Sequence, residues 1–215
     1  MDVVRTIKAV ATELAKGSGA TVGIRNGTEE PHYTLETQVN RVEIRHYGPR
    51  IAAQTTVSAS QEAEARSTGF RRLAAYIFGA NQGNAKIAMT APVTQQTGRS
   101  QKIAMTAPVS QTSGPDGAWT IRFFMPTKWT MHTLPAPTDS SVELVEVAPD
   151  TVAALRFSGN RDPHAVATRT TELLRALEPS AWKPSDPPVA WFYDPPWTLP
   201  FRRRNEVAVA VTTSQ

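Results

Sequence analysis

No cysteine occurs anywhere in the chain. That absence removes disulfides, thiolate nucleophiles and cysteine-ligated metal clusters together. Histidine is nearly as scarce. His32, His46, His132 and His164 are the four present, and none falls within the short spacing of a zinc site. Also missing are a His-Glu-x-x-His motif, a Gly-x-Ser-x-Gly elbow, a phosphate-binding glycine loop and a Gly-x-Gly-x-x-Gly fingerprint after a strand. Carboxylates are spread over expected helix starts and exposed strand faces, where solvation accounts for them. An enzyme built on a familiar motif is not expected, and no catalytic residue is nominated.

Long hydrophobic runs are lacking too. No stretch approaches the roughly 18 uninterrupted apolar residues of a membrane helix. The opening MDVVRTIKAVATELAKGSG has no compact apolar centre followed by a small-residue cleavage site, so it reads poorly as a secretory signal. The expectation is a cytoplasmic protein with no transmembrane segment. The formal charge is +4 and the pI about 9.6, but the basic residues are scattered and only Arg202 to Arg204 form a run. Without an RNP, zinc-finger or helix-turn-helix signature, nucleic acid is not an expected partner. Oligomeric state is not legible.

What is present suits a strand-rich domain. The 215 residues, 40% hydrophobic, suffice for a substantial core, and 17 prolines and 12 glycines divide them into short segments. Val3, Ile7, Val10 and Leu14 form one helical face before a Gly- and Pro-containing break. Residues 1–28 therefore read as a helix and linker, and 29–215 as one domain. YTLETQV, VEIRHY and RIAAQTTV are strand-like, with a Gly48-Pro49 turn between the last two. Val42, Ile44 and His46 share one strand face, and Glu43, Arg45 and Tyr47 the other. SASQEAEARSTGFRRLAAYIFG reads as a helix with Ser58 or Ser60 as its cap, Gly79 as its stop, and Phe70, Leu73, Ala74 and Ile77 along one face.

The octapeptide KIAMTAPV then occurs twice, at 86–93 and sixteen residues later at 102–109. Its alternation predicts two adjacent strands joined by a hairpin, with Ile87, Met89, Ala91 and Val93 facing one way and Ile103, Met105, Ala107 and Val109 doing the same. WTIRFFMP is another strand. VELVEV, VAALRFSG, a helix entered at Asp162-Pro163, VAWFYDPP and NEVAVAV retrace the plan. The fold class is α+β, a single domain with two pseudo-repeated halves.

Several of these segments together resemble the SOUL haem-binding protein family: VEIRHYGPR at 42–50, STGFRRLAAYIFGAN at 67–81, both KIAMTAPV copies, and YDPP with RRRNEV within 193–207. They run in the family's order across roughly residues 29 to 211. Asn205 to Ala208 departs from it, reading NEVA where the family often has NEVW. The resemblance implies a distorted antiparallel barrel-like sheet with two packed helices, a relation to GyrI-like small-molecule-binding domains, and haem or another tetrapyrrole as ligand. It implies a carrier or buffer rather than a catalyst. Other members carry methionines at the positions of Phe70 and Ala74, in the helix that lines the haem cleft.

On that basis Phe70, Leu73, Ala74 and Ile77 are candidate cleft wall or, equally, ordinary core. Arg71 or Arg72 is a candidate partner for a propionate, since guanidinium suits carboxylate geometry. His46 is the candidate axial iron ligand, or simply a polar residue closing a strand before a turn. Met89 and Met105 read as strand core. The alternative is a GyrI-like module that binds or hydrolyses another apolar small molecule. A buried Glu of raised pKa beside Trp191 or Tyr193 would favour hydrolysis, with Glu43, Glu143 and Glu206 as strand-borne candidates.

Overall fold

A computed structural model describes residues 29–97, 118–194 and 198–213. The expected N-terminal helix and the second KIAMTAPV copy lie outside them. Ten strands and two helices follow in order: β1 Tyr33–Val39, β2 Val42–Tyr47, β3 Arg50–Ser58, α1 Glu62–Ile77, β4 Val93–Thr97, β5 Ala118–Phe124, β6 Val142–Val147, β7 Asp150–Phe157, α2 Pro163–Leu177, β8 Trp182–Pro184, β9 Val189–Phe192 and β10 Asn205–Thr213. All strand pairs are antiparallel, in the order β1-β2-β7-β10-β9-β4-β5-β3-β6, with β8 attached to β10. The result is a curled half-barrel sheet of the expected α+β class.

That order reads the same from both sides of the β9/β4 seam. β2, β7, β10 and β9 on one side correspond to β6, β3, β5 and β4 on the other. The sequence carries the same symmetry: VEIRHYGPRIAAQTTVS at 42–58 aligns without a gap on VELVEVAPDTVAALRFS a hundred residues later, with Val, Glu, Pro and Ser recurring in place. The halves also exchange strands, since β2 pairs with β7 and β6 with β3.

Strand alternation sends one side chain in two toward each helix. Beneath α1, Leu73, Tyr76 and Ile77 pack with Ala53, Val57, Ile121 and Phe123. Gly69 is required at this contact, because a Cβ there would lie 2.7 Å from Ile121 Cδ1. Beneath α2, Leu173 and Leu177 pack with Val42, Ile44, Leu155, Val207 and Val209. Removing one such leucine side chain costs about 2–5 kcal/mol. α2 starts as its sequence signals, with the Asp162 carboxylate accepting from Ala165 N at 2.8 Å and Pro163 in the first turn. α1 starts later than Ser58 or Ser60 imply: its N-cap is Gln61, without a side-chain cap bond, and Ser58 instead ends β3. Gly79 follows at φ 119°, as the stop signal requires.

The first KIAMTAPV copy departs from expectation, because only Val93 belongs to a strand. It is bonded to three different parts of the fold: its backbone through Ile87 N to Ile77 O at 2.8 Å and Ala91 N to Glu29 O at 2.9 Å, and its Thr90 hydroxyl to Phe124 O. Pro92, after a cis peptide, has no N–H to give to a ladder. The side chains consequently do not share one face. Ile87, Met89 and Val93 join the core under α1, and Ala91 packs on the opposite face of the sheet with Tyr47 and Trp191.

Candidate functional site

The face of the sheet away from the helices carries the polar chemistry. Alternation along β10 sends Val207 and Val209 to α2 and Glu206 and Ala208 the other way. Glu206 is fully buried. Arg45, from β2, reaches across β7 and grips it bidentately, Nη1 to Oε2 at 2.7 Å and Nη2 to Oε1 at 3.1 Å. Arg204 Nε donates to Oε1 at 3.0 Å and the Tyr193 hydroxyl to Oε2 at 2.7 Å. Both arginines are tethered in turn, Arg45 Nε to Glu43 at 2.8 Å and Arg204 Nη1 to Glu30 at 3.0 Å.

Burial alone would raise the Glu206 pKa, but the Arg45 hydrogen bonds and charge, the Arg204 charge and the Tyr193 hydroxyl together hold it below the ordinary value. Tyr193 is raised, by burial and by the adjacent Glu206 charge, and Tyr47, mainly by burial, is pushed up to about 12. Arg45 is raised despite its burial, through Glu206. The constellation is thus a carboxylate fixed in its ionised form among neutral phenols. Trp191 lies opposite Glu206 on β9 and opposite Thr94 on β4, and both Trp191 Nε1 and Thr94 Oγ1 are buried without a partner. Aromatic rings continue outward, Trp191 to Tyr47 at 5.8 Å and Tyr47 to Tyr33 at 5.4 Å.

At the outer end of that row lies an open cleft of about 610 Å³ beside the β2–β3 turn. Ile51, Phe124, Met125 and Trp129 give it apolar walls, and Arg50, His32 and His46 give it polar groups. Arg50 lies over the rings of Tyr47 and Phe124, 4.5 and 5.0 Å from their centroids, and is ion-paired to Asp150. Burial lowers its pKa, offset in part by Asp150, whose own carboxyl is raised by burial. Arg50 Nε and Trp129 Nε1, both in cleft-lining residues, are buried donors without an acceptor.

His46 is half exposed and follows Ile44 on the α2-facing side of β2, at the end of the strand. Its Nδ1 is 3.2 Å from Thr151 Oγ1 and 3.8 Å from Glu36. The α1 residues lie elsewhere. Leu73, Ala74 and Ile77 are buried, and Phe70 is half-buried against Phe123, ring centroids 5.3 Å apart. Arg72 reaches Thr55 Oγ1 at 3.4 Å and Thr56 O at 3.5 Å. The helix face therefore packs on the sheet, and the cleft that includes His46 is walled by other residues. Arg50, Phe124 and Trp129 were missed. Arg50 closes the segment VEIRHYGPR at 42–50, next to the Gly48-Pro49 turn, and that position is the signal that could have found it. Glu206 was among the three glutamates considered, but nothing in NEVAVAV marks it as the buried one. Among the described residues no group of His, Asp and Glu is arranged to hold a bare metal ion, and no helix is long and apolar enough to cross a membrane.

The family model described as SOUL heme-binding protein matches residues 28–99 and 94–210. Heme-binding protein 2 of Homo sapiens is 35% identical over 124 residues, 57% of this chain and 54% of that one. The chain thus matches little more than half the length of that relative. Heme-binding protein 1 of Xenopus laevis is 28% identical over 165 residues, 77% of this chain and 80% of its own. Among solved structures, the EcmrR C-terminal domain superposes with a TM-score of 0.54 at 10% identity, covering 85% of this chain and 99% of that domain. A hydrolase of Listeria innocua superposes with a TM-score of 0.55 at 13% identity, covering 82% and 94%. At such identities the likeness is one of fold.

Proposed function

The chain belongs to the SOUL heme-binding protein family, and from that premise we propose that it binds haem or a related tetrapyrrole, as a carrier or buffer, in the cleft beside the β2–β3 turn. The observation that carries this reading is the joint placement of His46, Arg50 and an apolar wall in one cleft of about 610 Å³. The fit rests on donor chemistry. Haem is a broad apolar disc with two carboxylates, and the cleft has apolar walls and two buried donors, Arg50 Nε and Trp129 Nε1, that lack acceptors. With Nδ1 facing Thr151, His46 has Nε2 left for iron. Bound haem would supply the iron centre; the chain's own residues ligate it, pair its carboxylates and cover its faces. Phe70, Arg72, Leu73, Ala74 and Ile77 contribute in this reading by holding the sheet behind the cleft.

A haemin titration followed by absorbance tests it, on wild type and on His46→Ala. Saturable one-to-one binding is expected, with the ligated Soret band lost in the variant. Saturable binding unchanged by the substitution would leave the haem function and remove His46 from it; absence of saturable binding would sink both.

A second reading, a GyrI-like module for another apolar small molecule, is favoured by the Glu206, Trp191 and Tyr193 constellation and its unpartnered Trp191 and Thr94 atoms. Hydrolysis by Glu206 as a base of raised pKa is not part of it, because two arginines hold the carboxylate ionised. A binder that is colourless with haemin but retains a small apolar ligand would move the assignment there.

A further inference from the structure

On the helix-covered face at the β9/β4 seam, across the sheet from the Glu206 constellation, three half-buried arginines from separate segments converge. Arg66 is on the second turn of α1, Arg161 immediately precedes the Asp162 cap of α2, and Arg203 precedes β10. Phe192, on β9, has the guanidinium carbons of both Arg66 and Arg161 against its ring, at 5.5 and 5.6 Å from the centroid. Arg161 Nη1 donates to Asp194 O at 3.1 Å, and Arg66 Nη1 to Gln95 Oε1 at 3.5 Å. Burial, then the charges of Arg203 and Arg66, push Arg161 down to about 10. Asp194 acts on it in the opposite direction.

A second observation points the same way. Asn205 is directly opposite Phe192 in the β10–β9 register, on the same face of the sheet. It is 1% exposed, and its side-chain oxygen and nitrogen both lack a hydrogen-bond partner. An unmet buried amide, here directly across from the ring that two guanidiniums approach, is unusual, since such groups in folded proteins are nearly always satisfied. We propose that this junction between the N-terminal ends of the two helices is an oxyanion site of the phosphate class, held by Arg66, Arg161 and Arg203 with the Asn205 amide at its floor. Guanidinium forks match phosphate oxygens in geometry as well as charge.

The phosphate has two available sources, a soluble ester or a lipid headgroup. Leu199 and Phe201, 41% and 69% exposed, belong to the adjoining turn, which is tied to Gly159 through Gly159 N and Pro200 O at 2.9 Å. Apolar side chains beside an arginine cluster suit the headgroup boundary of an anionic bilayer.

Thermal unfolding of the full chain in sodium phosphate, against sodium chloride of equal ionic strength, tests the site. A saturable phosphate-specific rise in Tm is expected. Arg161→Gln should weaken apparent phosphate affinity about tenfold, as loss of one charge-assisted contact does, and the exposed Arg41→Gln should leave it unchanged. Should Arg161→Gln fold poorly by circular dichroism, Arg66→Gln takes its place. Asn205→Leu should raise Tm without phosphate yet blunt the phosphate response, which a merely structural Asn205 would not do. Sedimentation with vesicles separates the sources. Binding to mixed phosphatidylglycerol and phosphatidylcholine but not to phosphatidylcholine alone, lost in Phe201→Ser, identifies a headgroup; a phosphate response without vesicle binding identifies a soluble ester. Equal responses to the two salts without vesicle binding, or a response untouched by both arginine substitutions, overturns the proposal.

Discussion

Two rows of side chains, related by the internal repeat, show how the halves differ while their backbones agree. On the face away from the helices, Glu143 on β6, Gln54 on β3 and Arg122 on β5 stand side by side. Gln54 bridges the other two, accepting from Arg122 Nε at 2.8 Å and donating to Glu143 at 3.2 Å. The equivalent row in the other half is Glu43, Ala154 and Ala208. Two alanines leave space over β7, and across that space Arg45 reaches Glu206. The first row is a neutral bridge between two charges; the second is a gap, over which a direct buried ion pair forms. Pairing register is therefore what the duplication preserved. The ion pair belongs to one half because Val145 and Thr120 stand where the other half has Arg45 and Glu206, and the small Ala154 leaves that pair room to meet.

Breaking the ion pair should have the largest effect. Glu206→Ala leaves the buried Arg45 with only the exposed-edge Glu43 as ionic partner and should cost about 3–5 kcal/mol, measured by urea unfolding, whereas the double replacement Arg45→Met/Glu206→Leu should recover most of it. The pH dependence sharpens the point. The Glu206 pKa is lower folded than its ordinary value of 4.5, so its contribution is complete above that value and lost as pH falls through the folded pKa. The difference in urea midpoint between wild type and Glu206→Gln should accordingly narrow on acidification from neutrality toward pH 3. Converting one row into the other comes next. Ala154→Gln places a long side chain in the path of Arg45 and should cost about 1–3 kcal/mol by overpacking. The reverse change, Gln54→Ala, removes a bridge between partly solvated charges and should cost about 1 kcal/mol in the same assay.

Much of this architecture was legible. Period-two alternation placed β2, β3, β6 and β7, and Asp162-Pro163 placed the start of α2, because those signals are local and the structure obeys them. The faces of β2 were assigned correctly from alternation alone. KIAMTAPV misled because an extended segment that bonds one residue each to α1, to Glu29 and to the end of β5 alternates like a strand without pairing like one. Arg50 was passed over because a basic residue after a Gly-Pro turn is usually solvated. The Glu206 grip was hidden because Arg45 is far away along the chain and the reach depends on Ala154, a residue whose contribution is its small volume.

The strand exchange between halves bears on how the chain acquires its structure. β2 waits for β7, β3 waits for β6, and the buried ion pair joins residues 161 positions apart. Few of the decisive contacts are local, so the search is slow, on the order of milliseconds to seconds for topologies of this kind. Neither half completes its own sheet. A chain interrupted between β5 and β6 would yield two fragments, each presenting a bare strand edge that only the other fragment satisfies. Synthesis therefore has to reach β7 before β2, already paired with β1, gains its second neighbour.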